Sequence, residues 1–150
     1  MQPQPYLADS VKSNDDNTEW TFHIRDGVKF SNGKELTPSA VKKSIEYTFK
    51  QEEDGKGTAH PSQFLKYESI EADDESGNLT IKTSQAYADL SAVLANPLFV
   101  IVDVDADTDM ADQPIGTGPY AVVKKNEGTS IEMEANKEYW NGDVPYEKLN

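Results

Sequence analysis

The chain has 150 residues, with 27 acidic side chains against 14 Lys and Arg, a formal net charge of −13 and a pI near 4.4. Nucleic acid and anionic lipid both need Lys or Arg to neutralise phosphate, so this surplus of carboxylates argues against either as a partner. Cysteine is absent, which excludes disulfides, thiolate metal sites, iron–sulfur clusters and Cys nucleophiles together.

The length suits one domain, able to bury roughly 70% of the surface its unfolded chain exposes. The longest apolar run, Leu98-Phe99-Val100-Ile101-Val102, is far short of the ~20 residues a membrane helix needs. Met1-Gln2-Pro3-Gln4-Pro5 shows neither the basic nor the apolar segment of a secretory leader. Two expectations follow: a cytoplasmic protein, or a portion of something larger.

In chain order, Asn14-Asp15-Asp16-Asn17 reads as a polar turn ahead of the first clear strand. From Glu19 to Arg25 the residues alternate, with Trp20, Phe22 and Ile24 on one face and Thr21 and His23 on the other, the pattern of a half-buried strand. Asp26-Gly27 predicts a tight hairpin with Val28-Lys29-Phe30 as its returning arm, and Ser31-Asn32-Gly33-Lys34 predicts a second turn. Thr37 then suits an N-cap and Pro38 a first helical position. Val41, Ile45, Thr48 and Phe49 form the inner stripe of that helix, with Lys42, Lys43 and Glu46 on the wet side. The helix should fade by Glu52 into a loop that runs through Asp54-Gly55-Lys56-Gly57, Thr58, Ala59, His60 and Pro61.

Strands are expected at Tyr67–Ala72 and Leu79–Thr83 across an acidic connection, and a second helix at Tyr87–Ala95 with Leu90, Val93 and Leu94 inward. Leu98–Val102 reads as a strand buried on both faces. An aspartate-rich loop covers 103–112. A hairpin follows, Tyr120–Lys125 up and Ser130–Ala135 down around Asn126-Glu127-Gly128, with Ile131, Met133 and Ala135 sharing a face. The tail through Tyr139 and Trp140 is aromatic and loop-like. The fold class this predicts is α+β: a mixed, mainly antiparallel sheet with two or three helices.

Motifs that carry chemistry are sparse. Gly116-Thr117-Gly118-Pro119-Tyr120-Ala121 matches the dinucleotide fingerprint in letters, but that motif needs a helix after it. Here the following residues read as a strand, so a structural turn is the expectation and no cofactor is assigned. Asp103, Asp105, Asp107 and Asp109 alternate like the start of a calcium loop, yet neither register places Gly sixth and Glu twelfth, so no metal ligand is assigned. Of the two histidines, His23 reads as a sheet residue, whereas His60 lies in a loop beside Pro61 and near Phe64, within reach of a ligand. No nucleophile–base set, metalloprotease helix or phosphate loop can be assembled, so no catalytic residue is named and an enzyme is not expected.

Two stretches together resemble the family of extracellular solute-binding proteins that feed peptide and nickel ABC importers. The first comprises Leu7-Ala8-Asp9-Ser10, then Trp20-Thr21-Phe22-His23-Ile24-Arg25-Asp26-Gly27-Val28-Lys29-Phe30-Ser31-Asn32-Gly33, then Leu36-Thr37-Pro38-Ser39-Ala40-Val41. The second is Pro114-Ile115-Gly116-Thr117-Gly118-Pro119-Tyr120 with Asn136, Tyr139 and Trp140. Members of that family are several-fold longer, so the resemblance implies that residues 1–150 are a portion of the first lobe of a type II periplasmic-binding-protein fold. Within it, 19–104 would be an α+β subdomain, and 113–150 a hairpin and tail leading back toward the main lobe.

The resemblance further implies binding without catalysis, a small solute (a peptide or chelated metal) as ligand, an ABC permease as partner of the whole protein, and the cell envelope or periplasm as its location. It places the loop after the first helix, 58–64, near the ligand, with His60 and Phe64 as the candidate contacts. Nickel-type members use an Arg on the segment that here reads Leu98–Val102, where no Arg stands. The alternative reading is a free-standing acidic domain that docks a protein through exposed aromatics such as Tyr139 and Trp140.

Overall fold

A computed structural model of the chain describes residue 4, residues 6–56 and residues 59–149. The chain divides into two compact units, one of Met1–Asp26 with Thr37–Val100, the other of Gly27–Leu36 with Ile101–Asn150.

The first unit is built on a four-stranded antiparallel sheet of β1 (Ala8–Ser13), β2 (Glu19–Ile24), β3 (Tyr67–Asp73) and β4 (Asn78–Thr83), in the order β1-β2-β4-β3. The period-two pattern decides its buried face. Trp20 pairs with Ile81, which pairs on its other side with Ile70, and Phe22 pairs with Leu79. All five are buried, Ile81 completely. Cross-strand rows of large apolar residues are what hold a sheet in register, because a slip by one residue would turn every one of them to water.

The helix α1 (Pro38–Glu53) packs against β3 and β4. Thr37 caps it as the sequence predicts, its side chain accepting from Ala40 N–H, and Pro38 occupies the first turn. Val41 and Ile45 are buried, and Phe49 meets Tyr67 edge to face with ring centres 4.8 Å apart. A carboxylate from the acidic β3–β4 connection also caps this helix: Asp74 Oδ1 accepts from Ser39 N–H at 2.8 Å, where an anion meets the positive end of the helix dipole.

Three local expectations are corrected, and one strand is added to them. Val28–Phe30 is no returning strand, since both edges of β2 are occupied by β1 and β4, and only an isolated Lys29–Glu35 bridge forms. The second helix, α2, is Leu90–Leu94 and not Tyr87–Ala95. Asp89 caps it by accepting from Ala92 N–H, and Tyr87 is drawn off to bind Asn17 O through its N–H and Lys66 N–H through its hydroxyl. The predicted strand Leu98–Val102 does not form. Pro97–Phe99 is a single 3-10 turn whose Leu98 N–H is held by the Asn96 side chain; Phe99 points inward while Val100 is 64% exposed. Proline removes a ladder donor and fixes φ where a turn needs it. Finally, β1 went unforeseen. It is an edge strand exposed along almost its whole length, so it carries no apolar alternation to read.

The second unit contains β5 (Tyr120–Asn126), β6 (Ser130–Ala135) and the two-residue β7 (Lys148–Leu149), in the order β5-β6-β7. The hairpin turn is the predicted one, with Gly128 at φ 68°. The short β7 was not foreseen. The buried apolar residues of this unit are Val28, Phe30, Leu36 and Ile115, joined by buried Asp103, Thr117 and Asn136. Gly33 at φ 85° closes the 31–34 turn, where Phe30 N–H donates to Lys34 O at 2.8 Å. Among the described residues no helix is long and apolar enough to cross a membrane.

Candidate functional site

The loop that carries His60 and Phe64 begins where α1 stops. Gly57 and Thr58 lie outside the described residues, and from Ala59 onward the chain is anchored by two buried residues, Pro61 and the fully buried Leu65. Between these anchors Pro61–Gln63 makes one 3-10 turn. The geometry turns Phe64 outward, 46% exposed, and leaves the His60 side chain 59% exposed. Both candidate contacts are therefore presented to solvent by one short, pinned loop.

A residue the sequence reading did not single out holds that loop. The Glu52 carboxylate, on the last turn of α1, accepts from Ser62 Oγ–H at 2.7 Å, from Ser62 N–H at 3.0 Å and from His60 Nδ1 at 3.2 Å. The two Ser62 bonds hold its carboxyl below the usual range, outweighing the small upward push of desolvation, and His60 adds to the lowering. Glu52 is one of many carboxylates in this chain, eight positions from His60, so composition and spacing gave it no prominence.

His23 behaves as expected of a sheet residue and has a local partner, with Nδ1 2.8 Å from Asp9 Oδ1 across the β1–β2 pair. Among the described residues no group of three or more His, Cys, Asp or Glu side chains could hold a metal ion.

The glycine pair at 116 and 118 leads into strand β5 rather than a helix, and its backbone offers acceptors where a phosphate site needs donors. Ile115 O accepts from Asp103 N–H at 2.8 Å, Gly116 O from Ser31 N–H at 2.9 Å, and Pro119 O from Asn136 N–H at 2.8 Å. Gly118 O accepts from Asn136 Nδ2–H at 2.8 Å. Asn136 also accepts from Glu138 N–H through Oδ1 at 2.9 Å, which turns the chain toward Tyr139 and Trp140. That aromatic pair is half-buried, ring centres 6.2 Å apart, and not the exposed docking surface considered from sequence.

Asp103 completes this network. Its Oδ2 accepts from Asn32 Nδ2–H at 2.8 Å and pairs with Lys34 Nζ at 2.9 Å, and its Oδ1 accepts from Asp105 N–H at 3.1 Å. Burial pushes the Asp103 carboxyl up, but Lys34, Asn32 and the Asp105 N–H together outweigh it and hold the group below its usual range. The alternating aspartates thus open with a structural one.

A model of the bacterial extracellular solute-binding proteins, family 5, matches residues 2–150. The chain belongs to that family. The nickel-binding protein NikA of Staphylococcus aureus is 36% identical over 129 residues, covering 83% of this chain and 24% of NikA. The dipeptide-binding protein DppE of Bacillus subtilis is 29% identical, covering 95% of this chain and 30% of DppE. The crystal structure of S. aureus NikA in complex with Ni(L-His)2 superposes with a TM-score of 0.83 at 33% identity, over 95% of this chain and 29% of that one.

The chain thus spans less than a third of the length of these family 5 relatives. Its α+β architecture with antiparallel sheets is that of a periplasmic-binding-protein lobe. The family binds small solutes for ABC importers and is not a family of enzymes. Within this family 5 chain, the two stretches that carried the resemblance prove to be architectural. The turn at 31–34, the 115–119 segment and Asn136 bind one another, while the exposed candidates lie on the loop at 59–64.

Proposed function

We propose that this chain forms part of the first lobe of a solute-binding protein that captures a small solute outside the membrane and delivers it to an ABC permease. The observation that carries this reading is the match of the family 5 model along residues 2–150. Peptides and chelated nickel are the solute classes in view, since S. aureus NikA and B. subtilis DppE are named for nickel and dipeptide binding. The whole protein resides in the cell envelope.

In this reading the subdomain at 19–104 presents the 59–64 loop to the solute, His60 by hydrogen bonding or ligation and Phe64 by apolar contact. The hairpin and tail at 113–150 lead back toward the main lobe. The remaining contacts come from a second lobe, which closes on the solute about a hinge and presents the loaded protein to the permease. A peptide is then held by backbone hydrogen bonds and charge pairs at its ends, with water filling the side-chain pockets. Nothing is transformed.

The test is calorimetry of this chain beside S. aureus NikA with Ni(L-His)2 and beside B. subtilis DppE with a dipeptide. The chain alone binds far more weakly than either, because much of the contact surface and the closure are missing. Comparable affinity would refute the reading. Amide shifts on adding solute should concentrate at residues 59–64; shifts confined to other segments would remove His60 and Phe64 from the site.

A further inference from the structure

A carboxylate only accepts hydrogen bonds, so the imidazole nitrogen that faces Glu52 must be the one carrying a proton. Glu52 remains ionised, because the two bonds from Ser62 stabilise its charged form. In neutral His60 the proton therefore sits on Nδ1, 3.2 Å from Glu52 Oε1, and Nε2 keeps its lone pair. Nε2 has no hydrogen bond among the described residues, and the side chain is 59% exposed.

The surroundings set the charge of what can approach. Glu52, Glu53 and Asp54 cluster where α1 ends, and the helix dipole adds partial negative charge at that terminus. Of the cations close in sequence, Lys56 is paired with Asp54 at 3.3 Å and Lys50 stands in the last turn of α1. A carboxylate or phosphate arriving here would meet a lone pair set among carboxylates. An ammonium group could donate to Nε2, and a metal ion with a vacant position could bind it.

We propose that Glu52 is a positioning residue that fixes His60 with Nε2 outward as an electron-pair donor, so that this loop receives the positively charged head of a solute, an ammonium group or a chelated metal ion. The proposal deepens the reading of 59–64 as a solute-facing loop and rests on it. An ionised partner on one ring nitrogen orients the ring and turns the other nitrogen outward, as carboxylates do behind histidine ligands in metal sites. Phe64, four residues along, offers an exposed ring to the apolar remainder of the solute.

The experiment is long-range proton–nitrogen correlation NMR on this chain at about pH 8, where free imidazole is neutral. With only two histidines, His60→Asn assigns both rings. His60 should report the Nδ1–H form, and Glu52→Gln, whose amide can donate as well as accept, should shift population toward Nε2–H with the amides of the sheet unmoved. The Nε2–H form in the parent chain, or no change in Glu52→Gln, overturns the proposal.

Three probes then separate the sources of charge: dialanine, N-acetyl-dialanine and the one-to-one Ni(II)–L-histidine complex. Free dialanine should shift the His60 ring signal and the acetylated form should not, while Ni(II) should broaden it. Glu52→Gln should weaken the response to the nickel complex by about tenfold or more. Equal shifts from the two dipeptides overturn the charge selection. A probe that moves other residues and leaves His60 untouched overturns the proposal while solute capture stands; no response to any probe, even at concentrations high enough to register the weak binding expected of this chain alone, overturns both.

Discussion

Asn136 offers the sharpest test of how the second unit is held. It is 4% exposed, donates through Nδ2 to Gly118 O at 2.8 Å and accepts through Oδ1 from Glu138 N–H at 2.9 Å. Asn136→Ala deletes both bonds without touching the backbone bond from Asn136 N–H to Pro119 O. A neutral hydrogen bond contributes about 1 kcal/mol net, and orphaning a buried partner costs about 1–3 kcal/mol. Glu138 is exposed, so water can replace its lost acceptor, whereas Gly118 is only half accessible. The sum is about 2–3 kcal/mol. With a urea slope of about 1.5 kcal/mol/M, the unfolding midpoint should fall by roughly 1.3–2 M.

Asn136→Asp sharpens the experiment because it keeps the Oδ1 acceptor and places a carboxylate oxygen against the Gly118 carbonyl. The charged form is then disfavoured in the folded state, and the protonated form can donate in place of Nδ2. The folded pKa is raised, so its contribution is present below the unfolded carboxyl pKa and is lost as pH rises through the folded one. Asn136→Asp should therefore recover stability relative to Asn136→Ala on acidification. A midpoint for Asn136→Ala within about 0.3 M of the parent, or an aspartate variant with no such recovery, would refute the account of this turn.

Asp103 should show the opposite pH dependence. Its folded carboxyl lies below the usual range, so the stability it lends is complete above the unfolded pKa and disappears as pH falls through the folded one. Asp103→Asn should lower the urea midpoint at neutrality and flatten its loss in acid, and an unchanged acid profile would contradict this. Ile81→Ala, at a residue with no exposure, should cost about 2–5 kcal/mol in chemical denaturation and Ile81→Val about 0.5–1.5 kcal/mol; near-equal losses would deny Ile81 its place in the Trp20–Ile81–Ile70 row. With a net charge of −13, raising salt from about 0.1 M to 1 M shortens the screening length from about 10 Å to 3 Å. That should raise the melting temperature, and a melting temperature indifferent to salt would mean that self-repulsion is already offset by local pairs.

Legibility from sequence followed how local the determining forces are. The alternation expected from Glu19 to Arg25 forms β2, and the Thr37-Pro38 helix start and the hairpin around Gly128 form where predicted, each specified by residues within a few positions. Two of the failures are non-local, and the one at Leu98–Val102 is local. Val28–Phe30 looked like a returning arm because the sequence does not reveal that β1 and β4 already flank β2. Leu98–Val102 looked like a buried strand because its residues are apolar, yet Pro97 and the Asn96 side chain take the backbone into a turn. Tyr87 left its predicted helix for partners at Asn17 and Lys66.

At the candidate site, His60 and Phe64 were nameable, since a histidine and a phenylalanine in a loop stand out. Glu52 was not, because its importance comes from where α1 ends relative to Ser62 and from nothing in its own neighbourhood of the chain. The glycine motif teaches the converse. Its letters suggested phosphate, but the network around 115–119 uses its carbonyls.

The hydrogen bond from Asn32 to Asp103 joins residues 71 positions apart. During synthesis the 31–34 turn, together with Val28 and Phe30 just ahead of it, must leave the ribosome and wait while the whole stretch 37–100 is made. Only after Gly116 has emerged can Ser31 find its acceptor. For that interval Val28 and Phe30, which end up almost fully enclosed, have no permanent shelter, and the stretch stays open to non-native contacts until residues 101–116 arrive.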